Sequence, residues 1–358
     1  MTACVESSPA RLAAPSRRLA WPWLLMLAAL PASVLAALCV GRYPLPLSHV
    51  SSVLAGLALP DGLTDWLPAV SSAEHRVVLQ VRLPRVLLSV LAGSSLALCG
   101  AALQGAFRNP LVGPQILGIS SGAAFGGCAA ILLFSSLWAT LGLAFAGGLL
   151  AVAIVYLLGR TQGRTTILML VLAGVVTSAF FSALISLATY FADPNDSLPA
   201  IVFWLMGSFA TASYVKLAAA ALPIALGMGL LYALRFRINV LSLGDEQASA
   251  MGIAQQHPAQ RFDGCATLVV SASVAVSGTV GWVGLVVPHI ARMLVGPDHR
   301  VLLPASALLG GTYMVWVDTV ARSATSAEIP LGVITALIGA PLFAWLLRRT
   351  QGRGAHHA

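Results

Sequence analysis

The stretch from Arg82 to Gly126, RLPRVLLSVLAGSSLALCGAALQGAFRNPLVGPQILGISSGAAFG, restricts the possible folds more than any other part of the chain. A pair of arginines opens an apolar run of helical length. An Arg-Asn-Pro break ends it, and a second apolar run rich in small residues follows. A soluble core has no use for such a pattern at this length. In a bilayer each run approaches the ~20 residues that cross a ~30 Å hydrocarbon layer, with charge anchoring the ends. Composition agrees, since 58% of the 358 residues are hydrophobic and only 9% are charged. No water-facing surface can be built from so few charges. The chain therefore reads as an all-α integral membrane protein, a single polytopic domain over residues 1–358.

Windows of about 20 apolar residues place spans at 20–41, 84–107, 113–134, 138–158, 166–191, 213–234, 302–322 and 331–347. At ~1.5 Å per residue, segment 262–295 covers ~51 Å, too long for one span and short for two straight ones. Gly278, Gly281 and Gly284 lie at its middle, so it reads as two spans joined by a tight turn, the second one short. The expected total is ten, with both termini cytoplasmic. Residues 1–19 and 350–358 are then cytoplasmic tails.

Charge topology supports that count. The cytoplasmic set is Arg11, Arg17, Arg18, Arg108, Arg160, Arg164, Arg235, Arg237, Arg261, Arg292, Arg300, Arg348, Arg349 and Arg353, fourteen cations. The outer set is Arg42, Arg76, Arg82, Arg85, Lys216 and Arg322, six cations. Loops that stay inside carry the excess of Lys and Arg. Folding 262–295 into one span would worsen the balance. The net charge of +8 thus reports orientation; nucleic acid is not an expected partner, because the arginines are scattered over loops. The run after Arg17 and Arg18 is longer than the usual ~7–15 residues of a signal-peptide core and reads as an uncleaved first span.

Catalytic signals are mostly missing. Lys216 is the only lysine and follows no Gly-rich loop, so there is no Walker A phosphate site. His49, His75, His257, His289, His299, His356 and His357 lie in different segments or in the polar tail. Cys4, Cys39, Cys99, Cys128 and Cys265 have no ligand spacing and read as small apolar residues. No metal site is expected. Asp318 is the one acid well inside an expected span, four residues before Arg322, the spacing of an i,i+4 ion pair. No paired acids mark an ion-coupled carrier. The chain is therefore expected to draw its energy from a partner.

The polar connection 235–261, RFRINVLSLGDEQASAMGIAQQHPAQR, is where such a partner could bind. Gly244 starts a short helical stretch with Asp245, Glu246 and Gln247 in its first turn, and Gly252 stops it. By pattern alone, an ordinary amphipathic surface turn fits equally well.

From about Arg82 to Arg349 the chain resembles the FecCD-type permeases of ABC importers for iron siderophores, haem and vitamin B12. The matching blocks run in the family's order: RLPR (82–85), GAALQGAFRNPLVGPQILGISSGAAFG (100–126), FWLMGSF (203–209), LGDEQASAMGI (243–253), GWVGLVVPHIARMLVGPDHRVLLP (281–304) and IPLGVITALIGAPLFAWLLRR (329–349). The region before Arg82 matches only loosely. The resemblance implies a type II ABC importer permease in which helices 2–5 and 7–10 form an inverted repeat. It implies a homodimer, two cytoplasmic ABC ATPases, an external substrate-binding protein and surrounding lipid. ATP and Mg would sit on the ATPase, with no cofactor bound by this chain.

The resemblance also assigns residues. Arg82, Arg85 and Arg322 match arginines that dock acidic groups of the binding protein; snorkelling at the interface is the plainer account of each alone. Asn109 and Leu111 match a cytoplasmic gate, faced by a small polar pair at the start of helix 5. Thr165 and Thr166 lie there, although Ile167 and Leu168 are about as well placed. Gly244, Asp245, Glu246, Ala250 and Gly252 match the helix that inserts into the ATPase. The expected function is a non-catalytic permease importing an iron complex, haem or a ferric siderophore, across the bacterial inner membrane. Cobalamin and an oxyanion such as molybdate come next. An ion-coupled carrier or an intramembrane enzyme would need groups that the sequence lacks.

Overall fold

The computed structural model describes residues 20–58, 68–161, 164–165, 167–251 and 258–354. In chain order the helices are α1 (Ala20–Cys39), α2 (Leu47–Ala58), α3 (Ser72–Arg76), α4 (Leu83–Ala106), α5 (Ile119–Phe134), α6 (Leu137–Gly159) and α7 (Ile167–Phe191). They continue as α8 (Ser197–Leu205), α9 (Tyr214–Ala233), α10 (Arg235–Ser242), α11 (Asp245–Ala250), α12 (Pro258–Ser277), α13 (Val283–Val295), α14 (His299–Ser323) and α15 (Leu331–Gly354). A hairpin of β1 (Arg160–Thr161) and β2 (Arg164–Thr165) joins α6 to α7.

Ten of these helices correspond to the ten expected spans: α1, α4, α5, α6, α7, α9, α12, α13, α14 and α15. By length and apolarity alone, six qualify as crossing helices, with α5, α12, α13 and α15 carrying shorter apolar stretches. The shortness has a local cause at two of them. A 3-10 turn, Pro114–Leu117, precedes α5, and the irregular segment 278–282 precedes α13. Non-helical backbone at membrane depth is tolerated only where protein covers it, and Pro114, Leu117, Gly118 and Gly278 are enclosed.

Those two breaks lie five helices apart, as an inverted repeat requires. The packing pairs repeat with the same offset. α4 packs on α14 while α12 packs on α6, α4 meets α13 while α12 meets α5, and α5 lies on α7 as α13 lies on α15. The main apolar core runs through α4, α12, α13 and α14. Glycine sets the closest approaches. A β-carbon at Gly100 of α4 would collide with the Gly284 carbonyl of α13, and one at Gly93 would collide with Gly310 of α14. Such small-residue contacts let membrane helices pack backbone to backbone, where apolar burial alone supplies no drive.

Several boundaries differ from the sequence reading. α3 runs through a π-helical turn, Val77–Arg82, into α4, giving one helical stretch from Ser72 to Ala106. Arg82 and Arg85 therefore sit inside a helix and not at its mouth. At the other terminus α15 continues to Gly354, so the residues expected to begin a tail at 350 are helical through that point. The connection 235–261 holds a further helix, α10, ahead of α11, and its last residues already belong to α12. The tail 1–19 lies outside the described residues.

Candidate functional site

At one end of the bundle the C-termini of α1 and α14 meet the N-terminal part of α4, and the expected docking arginines gather there. All three are buried, with Arg82 4%, Arg85 7% and Arg322 8% exposed. Their hydrogen bonds are made within the chain, and Arg322 Nε is the one buried donor among them without a hydrogen-bond partner. Arg82 donates from Nη1 to the Leu38 and Cys39 carbonyls at 2.5 and 3.1 Å, and from Nη2 to the Tyr43 carbonyl. Arg322 donates to the Ala37 carbonyl. Two guanidiniums thus satisfy carbonyls left open at the C-terminus of α1, where the helix dipole also favours positive charge. Snorkelling does not describe them, since none of the three reaches freely into solvent.

Arg85 is held by acids. Its Nε lies 2.9 and 3.0 Å from the Asp318 carboxylate oxygens, and Nη1 and Nη2 each lie 2.9 Å from an oxygen of Glu328. Asp318 is 1% exposed and also faces Arg322 Nε at 3.7 Å, the expected i,i+4 pair. Its nearer partner is Arg85, 233 residues away. Exposed cations at this end are Arg42, which donates to the Thr325 carbonyl at 3.1 Å, and Arg76.

The opposite end carries the expected gate and coupling segments. α4 stops at Phe107, and Arg108 turns the chain through a left-handed conformation (φ 52°). Asn109 accepts from the Leu111 amide at 2.9 Å through Oδ1, and Asn109, Pro110 and Leu111 are exposed. Thr165 lies in β2, its backbone paired with Arg160, while Thr166 lies outside the described residues. The structure thus brings the α4–α5 turn to the bundle end that also carries the α6–α7 hairpin.

α11 begins at Gly244, whose φ of 123° suits only glycine, and Arg108 lies close to Gly244. Ala248 is fully buried beneath α11, whereas Ala250 is exposed. Asp245 and Glu246 belong to the helix, and Gly252 lies outside the described residues. Leu243 and Met251 flank α11 and are 59% and 60% exposed. These two apolar side chains were not singled out in the sequence, where each resembles an ordinary loop residue.

α10 is tied to the start of α14 by Asn239. Its Nδ2 donates to Asp298 Oδ1 at 2.6 Å, and its Oδ1 accepts from the His299 amide at 2.8 Å. Asp298 caps α14 by accepting from the Arg300 amide at 2.9 Å. Slight burial works against ionisation of Asp298, but these N–H donors outweigh it and hold the carboxyl below the ordinary range.

The structure adds a second buried acid. Asp263 of α12 is 1% exposed and accepts from the Tyr156 hydroxyl of α6 at 2.5 Å. It sits so near the start of α12 that hydropathy alone assigns it to a polar loop edge. The FWLMGSF block, for its part, is a junction. Ser208 donates to the Ser277 carbonyl at 2.8 Å, and Thr279 bonds the Leu205 carbonyl. The Leu331 and Gly332 amides at the start of α15 donate to Gly207 and Met206, both at 2.9 Å. One short segment thus fastens α8 to the α12–α13 break and to α15.

Ten crossing helices in two inverted halves, with interrupted spans between them and a short helix displayed at one end, define a type II ABC importer permease. The chain belongs to the FecCD transport family, which it matches over residues 27–349. It is 42% identical over 322 residues to the molybdate import system permease protein MolB of Haemophilus influenzae, covering 89% of this chain and 92% of that one. It is 40% identical over 300 residues to the hemin transport system permease protein HmuU of Yersinia pestis, covering 80% and 88%. Other relatives are named for iron chelatin and cobalamin import. A solved metal-chelate type ABC transporter in an inward-facing conformation superposes with a TM-score of 0.80 at 41% identity, covering 92% of this chain and 99% of that one. The chain is therefore the permease subunit of an ABC importer, a transport component and not a catalyst, in a bacterial membrane.

Proposed function

We propose that the permease imports an iron complex, haem or a ferric siderophore, as a homodimer in the inner membrane. Two cytoplasmic ABC ATPases drive it and an external binding protein delivers the cargo. The end that carries Arg108 and α11 faces the cytoplasm in this reading, in keeping with the arginine bias of its loops. The family resemblance makes α7, α8 and α15 the walls of the substrate path, and α7, α8 and α15 as far as Leu346 hold no charged residue. Such a wall gives a bulky cargo no strong hold and lets it be released, and relatives named for iron chelatin and hemin transport support an iron complex as that cargo.

A second reading is molybdate, favoured by the breadth of the MolB match, which reaches 92% of that protein. Proteoliposomes containing the permease, its ATPase and its binding protein discriminate between them. ATP-dependent accumulation of haem or a ferric siderophore, with molybdate excluded, is expected. Molybdate accumulation without iron uptake would overturn the iron reading while leaving the importer intact.

Within that transporter, Arg82, Arg85 and Arg322 form the docking end, with Arg85 the cation that meets the binding protein while Arg82 and Arg322 also hold the surrounding helix ends. Asn109 and Leu111, with Thr165 and Thr166, contribute to the cytoplasmic gate. Gly244, Asp245, Glu246, Ala250 and Gly252 belong to the surface that meets the ATPase.

A further inference from the structure

The carboxylates on Arg85 differ in how freely they can leave. Asp318 is enclosed, 1% exposed, and is shared with Arg322. Glu328 lies in the connection between α14 and α15, and its side chain is 24% exposed. It grips the guanidinium through a two-point fork, one oxygen on Nη1 and the other on Nη2, each at 2.9 Å. Loss of Glu328 would still leave Arg85 bonded to Asp318 through Nε, so the cation would not be stranded inside the protein. The cluster also holds more cations than acids, with Arg82, Arg85 and Arg322 set against Asp318 and Glu328. That imbalance favours another carboxylate nearby.

Glu328 also has a mechanical position. Three and four residues further on, the Leu331 and Gly332 amides are bonded to the Gly207 and Met206 carbonyls. The latch on Arg85 and the seam between α15 and α8 are thus joined by a few residues of chain.

We propose that Glu328 is an internal stand-in for a carboxylate of the substrate-binding protein. In the free permease it occupies the solvent-side edge of Arg85. An acidic side chain of the docking protein displaces it and takes over the same fork, and the 324–330 connection, loosened at Glu328 but still held by Ile329 on Ala321 and by Arg42 on Thr325, passes the event to α15. This inference rests on the docking role given to Arg85 above and adds the residue that regulates it. One carboxylate replaces another in like geometry, so the exchange costs little electrostatically. Until it occurs, the apparent affinity is lowered by the fraction of permease in which Arg85 is unlatched.

The test uses the permease–ATPase complex in nanodiscs, titrated with its binding protein. Glu328→Gln is expected to tighten docking about tenfold, equal to roughly 1.4 kcal/mol, and Arg85→Ala to weaken it by at least that factor. If Arg85→Ala weakens docking while Glu328→Gln leaves it unchanged or weaker, competition is overturned and docking survives. If neither variant alters binding, the docking role itself falls and takes this inference with it. A second measurement keeps Glu328 in place. A nitroxide on Ser326→Cys, an exposed position, should become more mobile when the binding protein is added. An unchanged spectrum would overturn the release of the connection.

Discussion

Removing Asp318 would leave Arg85 and Arg322 inside the protein with Glu328 as the remaining carboxylate. Breaking one member of a buried ionic group costs about 3–5 kcal/mol, because the survivors stay desolvated and underpaired. Asp318→Ala should therefore lower the melting temperature of the purified permease sharply and reduce its yield as a monodisperse species. Melting at the wild-type temperature would show that the cluster is not a structural element. Half of this cluster was legible in the sequence. Asp318 and Arg322 are four residues apart on one helix, and helix geometry alone brings them together. The pairing with Arg85 was not legible, nor was the burial of all three arginines. Local pattern marks a cation near a helix end but cannot say whether another helix covers it. Asp263 shows the same limit, since its partner Tyr156 lies on a different span.

At the scale of elements, α11 and its flanks are the surface proposed to meet the ATPase. Ala248 anchors the helix from below, while Leu243 and Met251 stand clear on either side. Exposed apolar side chains around a short polar helix suit a protein cleft better than water. Leu243→Glu combined with Met251→Glu should reduce co-purification of the ATPase at least tenfold while leaving insertion and melting unaffected, because neither residue is packed. Retention of the ATPase at wild-type levels would remove these two side chains from the interface. The start of α11 was readable from Gly244, where only glycine accepts the backbone conformation. α10 was not anticipated as a helix, because it is short and mixes polar with apolar residues; buried Ile238 and Val240 and the bonds of Asn239 to Asp298 and His299 hold it. Most spans were readable to within a few residues; irregular backbone shifts the start of α5, and α14 and α15 extend beyond their apolar windows as polar α-helix.

At the scale of the whole molecule, ten crossings are proposed to put the start of α1 and the end of α15 on the side of α11. In a cysteine-free background, Arg42→Cys should react with a membrane-impermeant maleimide in intact cells. Arg235→Cys should react only after permeabilisation. The reverse pattern would invert the orientation and move the proposed docking and coupling surfaces to the wrong compartments. Sequence by itself determined the membrane class, the ten spans, the charge bias and the family. Each of these is a sum of local quantities: transfer energies over ~20 residues, arginines counted loop by loop, and blocks of motif in a fixed order. Tertiary structure alone decided which charges are available. Helices far apart in sequence approach to backbone contact at glycines such as Gly93 and Gly310, and that approach sets Arg85 against Asp318 and Glu328. Burial and pairing are properties of the space between helices, and no single stretch of chain contains that space.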